Sequence, residues 1–291
     1  MKSKVYFTKE ITPSSLVKVY NELGIKLEGK VAVKVHSGEK GNQNFLKPSF
    51  MKEIINHVNG TVVECNTAYE GSRDTTEKHI ETMKEHGWSK LFNVDILDNE
   101  SDIELSIPNG KVINKNYVGK NIENYDSILV LSHFKGHPMG GYGGALKQLS
   151  IGFASSKGKR YIHCIGKENG SYEDMFKVNQ DKFLEAMADS ASTITNLFKD
   201  KIAYINVMAN MSVDCDCCSV AENPKIKDIG ILASIDPVAL DQACIDLVYN
   251  ANDERKKDLI QRIESRNGIH TIEAAHNLGI GSRGYELINI D

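Results

Sequence analysis

The chain is predicted to fold as α/β, a largely parallel sheet with helices on both faces, and three observations carry that expectation. Six short β-branched runs, at residues 5–7, 30–35, 61–65, 127–132, 201–207 and 229–234, recur with Gly, Asn and Asp between them. Helical patterns fill most of the intervals, as the crossovers of a parallel sheet require. One segment breaks the rhythm: 104–108 and 111–118, joined by Asn109-Gly110, have the form of an antiparallel hairpin inserted into the sheet's sequence.

Taken in order, residues 5–7 open the sheet and 30–35 and 61–65 continue it. Asp74 with Glu77 three positions on makes a capping-box start for a helix over 75–86, with Ile80 and Met83 as its inner face and Gly87 as a left-handed stop. From Gln180, the apolar positions Phe183, Met187, Ala191, Ile194 and Phe198 keep near-helical spacing, so this helix packs one face on the sheet. Asp236 caps the next helix and Pro237 suits its first turn. Leu240, Ala243, Cys244, Leu247 and Val248 give that helix its buried stripe. The charged stretch 253–266 continues as an exposed helix before Gly268, and 285–290 forms a closing strand. Without a Pro- or Ser-rich linker or an internal repeat, residues 1–291 read as one unit, with two lobes around a central cleft as the variant.

Composition narrows the function. A chain of 291 residues with 41% hydrophobic content buries a large core, and 35 basic against 39 acidic side chains supply no global charge for nucleic acid or a membrane surface. The expected partner is therefore a small molecule. No run approaches the roughly 18 apolar residues of a spanning helix, and the first ten residues lack the apolar stretch of a signal peptide. Six cysteines, three of them crowded at Cys215, Cys217 and Cys218, do not form a secreted disulfide framework, so a cytoplasmic setting is expected.

The densest chemical signal lies at 131–147, directly after the apolar run 128–130. His133 and His137 emerge there beyond the carboxyl end of a strand, where open α/β sheets place their ligands. Gly140, Gly141, Gly143 and Gly144 let backbone approach a ligand and aim amides at an anion, at the start of a helix over 145–154. Either imidazole suits metal ligation or proton exchange, and Lys135 and Lys147 suit an anion. The Gly-Lys-Ser/Thr ending of a phosphate-binding P-loop is missing.

A second cluster, Asp214-Cys215-Asp216-Cys217-Cys218, follows the strand 201–207 and mixes soft thiolate with hard carboxylate ligands for zinc or iron. It lacks the paired Cys-x-x-Cys units of a zinc ribbon or a ferredoxin, so buried inert thiols are the plain alternative. Asn66, Tyr69 and Arg73, after the strand 61–65, offer donors for a carboxylate or phosphate. His36 ends the strand 30–35 beside Ser37-Gly38-Glu39. His57 and His163, without polar company, are assigned structural roles. Four strands thus end in polar loops, and a parallel sheet gathers such ends along one edge.

The stretches 34–42, 66–73, 132–137, 141–147, 214–218 and 228–239 together resemble the family called domain of unknown function 362, along nearly the whole chain. Its marks include Ser132-His133-Phe134-Lys135-Gly136-His137, Gly141-Tyr142-Gly143-Gly144-Ala145-Leu146-Lys147 and Asp236-Pro237-Val238-Ala239. The resemblance implies iron–sulfur binding, because many members carry a ferredoxin-like cassette. That cassette is absent between Cys164 and Gln180, so Cys215, Cys217 and Cys218 would be the ligands of any cluster. The 133–147 run is also similar to the loop of the nickel-pincer lactate racemase family, matching His133 or His137, Gly143, Gly144 and Lys147. There the lysine holds the cofactor and the histidines shuttle protons or bind metal.

Three functional classes follow. In the first, a metal or metal-containing cofactor meets a small anionic substrate, with His133, His137 and Lys147 in the chemistry. In the second, the Asp/Cys cluster holds an iron–sulfur centre and passes electrons to a redox partner protein. In the third, the chain is a non-catalytic binding module. Whether it is an enzyme is left open by the residues alone.

Overall fold

The fold follows from where apolar side chains alternate and where they recur every third or fourth residue. The computed structural model describes residues 2–291. From the N-terminus the chain forms β1 (Ser3–Thr8), α1 (Pro13–Glu22), β2 (Val31–Lys34), α2 (Pro48–His57), β3 (Gly60–Glu64), α3 (Thr76–Glu85), α4 (Trp88–Leu91) and β4 (Val94–Ile96). A hairpin of β5 (Asp102–Ser106) and β6 (Lys115–Gly119) leads to β7 (Ser127–His133). A small ribbon of β8 (Lys135–His137) and β9 (Gly141–Gly143) precedes α5 (Ala145–Lys147), α6 (Ser156–His163) and α7 (Gln180–Phe198). The chain closes through β10 (Ile202–Met208), β11 (Gly230–Ser234), α8 (Pro237–Asn250), α9 (Lys257–Ser265), α10 (Ile269–Asn277) and β12 (Tyr285–Asn289).

Eight strands make one sheet in the order β12-β1-β11-β10-β7-β2-β3-β4. Every pairing is parallel except the two made by β11, which runs against β1 and β10. Alternation along β7 divides the core: Ile128 and Val130 face one side, Leu129 and Leu131 the other. The first side packs on α7, α8 and α10 through Ala188, Ala191, Ala239, Ala243 and Ile272. The second packs on α1–α4 through Leu16, Val19, Ile54, Met83 and Trp88. Sheet residues buried on both faces give the nearly continuous apolar runs that the sequence shows. The largely parallel α/β sheet covered on both faces is therefore the observed architecture. Among the described residues, no helix is long and apolar enough to cross a membrane.

Local chemistry sets several ends. Asp236 caps α8 by accepting the amides of Val238 and Ala239. The hairpin is shorter than the sequence predicts, since Ser106 pairs with Lys115 and residues 107–114 form its tip. Asn109-Gly110 does not close it as a two-residue turn, because the buried Asp189 of α7 accepts the amides of Lys111, Val112 and Ile113 and draws that strand off the ladder. Around α3 the cap is Thr75 and not Asp74, and the inner face is His79, Thr82 and Met83, with Ile80 exposed. The helix expected over 145–154 is α5 followed by a π-helical turn at Gln148–Gly152. The stretch 253–266 is not wholly exposed: Leu259 and Ile263 of α9 are buried.

Candidate functional site

Strand order places the site. In the run β10-β7-β2-β3 all pairings are parallel, so four carboxyl ends, and the loops carrying Cys217, His137, His36 and Tyr69, emerge side by side. Between these loops lies a cavity of about 290 Å³ lined by His36, Tyr69, Arg73, His137, Lys147 and Cys217, together with Lys34, Glu64, Lys159 and His163.

The cysteine loop is drawn in by backbone contacts. Gly136 of β8 donates its amide to Ser212 O, and a Cβ at Gly136 would lie 2.1 Å from Val213 O, so only glycine permits the approach. On the other flank, Asn42 donates to Cys218 O and Tyr69 to Cys217 O. Behind the loop, Asp216 is fully buried and takes Lys135 Nζ at 2.8 Å and His133 Nδ1 at 2.9 Å. Burial would raise that carboxyl, but His133 and Lys135 hold it well below the usual range.

His133 has its other nitrogen, Nε2, at 2.7 Å from Ala209 O, so both ring nitrogens are engaged by oxygens of the protein. His137 differs. Its Nδ1 accepts the amides of Met139 and Gly140, at 3.2 and 2.9 Å, and its Nε2 points at Cys217 Sγ, 3.9 Å away. With Nδ1 an acceptor, the neutral ring carries its hydrogen on Nε2. Burial, helped by the Lys147 ammonium, pulls this imidazole down to about 3, so it is neutral at ordinary pH. One ligand atom each from His137, Cys215 and Cys217 lies within 4.8 Å of the others.

Hydrogen bonding to Cys215 would lower the Cys217 thiol, but the bond to Cys218 and burial raise it to about 11. Cys218, half-buried, is lowered by its bond to Cys217 and stands outside the His/Cys group. The remaining thiols are engaged elsewhere: Cys65 with Phe153 O, Cys164 with Ser171 O and Cys244 with Asn206. A four-thiolate iron–sulfur cluster does not fit this arrangement, whereas His137, Cys215 and Cys217 form a group that could hold one metal ion.

The far wall is a buried charge network. Glu64 accepts Lys34 Nζ at 2.5 Å and the Ser37 amide at 2.8 Å, with Arg73 at 3.8 Å. Burial would raise Glu64, and Lys34 first among its neighbours pulls it well down instead. Arg73 also meets Glu39 at 3.2 Å and Tyr69 Oη at 3.0 Å. Burial lowers His36 and His163 to about 4 and His79 to about 3.

The structure brings together His36, Tyr69, Arg73, His137, Lys147, Cys215 and Cys217. His133, Lys135, Gly143 and Gly144 border a small side chamber behind Lys147. Other expected site residues lie apart. Asn66 bonds Thr76 and His79 beneath α3, Gly141, at φ 79°, packs on Gly268, and half-exposed Asp214 pairs with Arg262. Sequence reasoning did not single out Lys34, Glu64, Lys159 or Gln148, and His163, to which it assigned a structural role, lines the cavity. Lys34 and Glu64 were visible as charges within otherwise apolar strands, and Lys159 and His163 as an i,i+4 pair on α6.

Comparison with solved structures finds similar chains. The lactate racemase apoprotein from Thermoanaerobacterium thermosaccharolyticum shares 14% identity at a TM-score of 0.43, covering 98% of this chain and 82% of that one. A Thermotoga maritima protein shares 12% identity at a TM-score of 0.38, covering 91% of this chain and 58% of that one. No curated protein matches by sequence. Residues 31–246, which include every loop of the cavity, match the family model described as Domain of unknown function (DUF362), and the chain belongs to that family.

Proposed function

We infer that the protein binds a soft transition-metal ion and a small anion in this cavity, the ion at Cys215, Cys217 and His137 and the anion beside Lys147. The observation that carries the reading is the approach of two thiols and an imidazole within 4.8 Å at the edge of a cavity that four basic side chains line and one carboxylate, Glu64, partly neutralises. Lys34 and Arg73 are tied to Glu64 and Glu39. Lys147 has no ion-pair partner among the described residues, so its charge is free for a ligand.

An ion here would take both sulfurs as thiolates, their protons passing to solvent, and would take Nε2 of His137 once the ring's hydrogen moves to Nδ1 in place of the Met139 and Gly140 amide bonds; with the hydrogen kept on Nε2, that N–H would bond one of the sulfurs. When bound, it would act as a Lewis acid on the neighbouring anion. The chain's own residues would hold that anion: Lys147 supplies charge, and Tyr69 and Arg73 line the same cavity.

Elemental analysis and an absorption spectrum of anaerobically purified protein, alongside Cys217→Ser, test the reading. About one equivalent of nickel, zinc or iron in wild type, lost in the variant, supports it. A colourless protein that neither contains nor takes up a divalent ion overturns it.

A further inference from the structure

We propose that the anion is an amphipathic carboxylate, with its acidic head between Lys147 and Ser132 and an apolar body running out to Phe176. The proposal rests on the reading of the cavity as a site for a small anion and gives that ligand a chemical class.

The side chamber suits the acidic head. It measures about 10 Å³ and shares His36, Lys147 and Gln148 with the main cavity. That is room for about one water-sized atom. Ser132, at the carboxyl end of β7, is 3% exposed, borders this chamber, and its Oγ has no hydrogen-bond partner. An orphaned buried hydroxyl is destabilising, a penalty that a guest oxygen removes. Among the described residues no carboxylate lines the chamber, while Lys135 and Lys147 both do. Asp216 pairs with Lys135 from behind, while Lys147 has no ion-pair partner among the described residues. A carboxylate can put one oxygen into a one-atom chamber and turn the other to Lys147. A phosphate, with three outward oxygens, does not suit so narrow a space.

The main cavity suits the apolar body. Pro138, Met139, Ile151 and Met175 give the main cavity an apolar lining. At the opening, Tyr172 and Phe176 are 48% and 61% exposed and meet edge to face at 5.1 Å. Two large aromatic rings left in water beside a cavity are a surface that an apolar ligand covers. A volume of about 290 Å³ lies just below the usual range for small-molecule sites, roughly 300–1,000 Å³, and so suits a small ligand.

Calorimetric titration of the full chain, as purified and after chelation, with 3-phenylpropionate, propionate, 3-phenylpropanol and 2-phenylethyl phosphate tests the class. The expected order places phenylpropionate at least tenfold tighter than each of the others. Lys147→Met should abolish its advantage over the alcohol, and Phe176→Ser its advantage over propionate, both with an unchanged melting temperature. Equal binding of acid and alcohol, an unaffected Lys147→Met protein, or tighter binding of the phosphate ester overturns the proposal. Metal content reads the underlying function separately: a chain that holds metal but ignores every probe refutes the ligand class alone, and one that holds neither refutes both.

Discussion

His137 Nε2 and Cys217 Sγ stand 3.9 Å apart, although 80 positions separate them in the chain. The contact exists because β7 and β10 are parallel neighbours, so the loops that follow them share one rim. Each side chain is held from behind, the imidazole by two amides on Nδ1 and the cysteine loop by Gly136 and Asn42.

Metal affinity is therefore expected to depend on pH. Cys217, raised to about 11, must lose its proton to ligate. Apparent affinity should tighten about tenfold per pH unit for each proton displaced, from pH 6 toward 9. Competition with a chromophoric chelator measures it, and a flat profile would show that the thiols are not the ligands.

Glu64→Gln should cost about 3–5 kcal/mol of stability, since it leaves the buried Lys34 without its counter-charge and removes the negative charge facing Arg73. The double variant Lys34→Met, Glu64→Gln should regain part of that loss. Urea unfolding measures both, and a single-variant cost under about 1 kcal/mol would contradict the network described.

Acid should destabilise the protein well before its carboxylates titrate. His36, His79, His137 and His163 have folded values of about 3–4, below the ordinary 6.5, so the unfolded chain binds protons that the folded one refuses. Stability is then fully present above about pH 6.5 and falls as pH drops toward 4, by up to about 1.4 kcal/mol per unit for each histidine. Unfolding midpoints that stay constant between pH 7 and 5 would refute neutral burial of these rings.

Asp189→Ala should free the hairpin tip. Three amides, of Lys111, Val112 and Ile113, lose a buried carboxylate, at a cost of about 2–4 kcal/mol. Limited trypsin digestion should then cut at exposed Lys111 several times faster than in wild type. An unchanged rate would mean that the tip is held by its apolar contacts alone.

Much of the scaffold was legible in one dimension. The six β-branched runs are all strands, and α7 and α8 carry the apolar stripes expected of them, with Leu247 only half-buried. The polar strand-end loops could be named, yet their individual partners could not. Ile80 and His79 are adjacent in α3, and sequence favoured the apolar one for the inside. The fold buries His79 because Asn66 and Ser37 meet its two nitrogens.

By itself the sequence determined periodicity: which segments are strands or helices, where Asp236 caps, and that four polar loops follow strands. These depend on neighbours a few residues apart. Tertiary structure alone decided that Asp216 ties His133 and Lys135 behind the loop, that Lys34 meets Glu64, and that Ser132 is left without a partner beside Lys147. Such pairings follow from strand order and register, which join residues tens of positions apart and leave no local pattern to read.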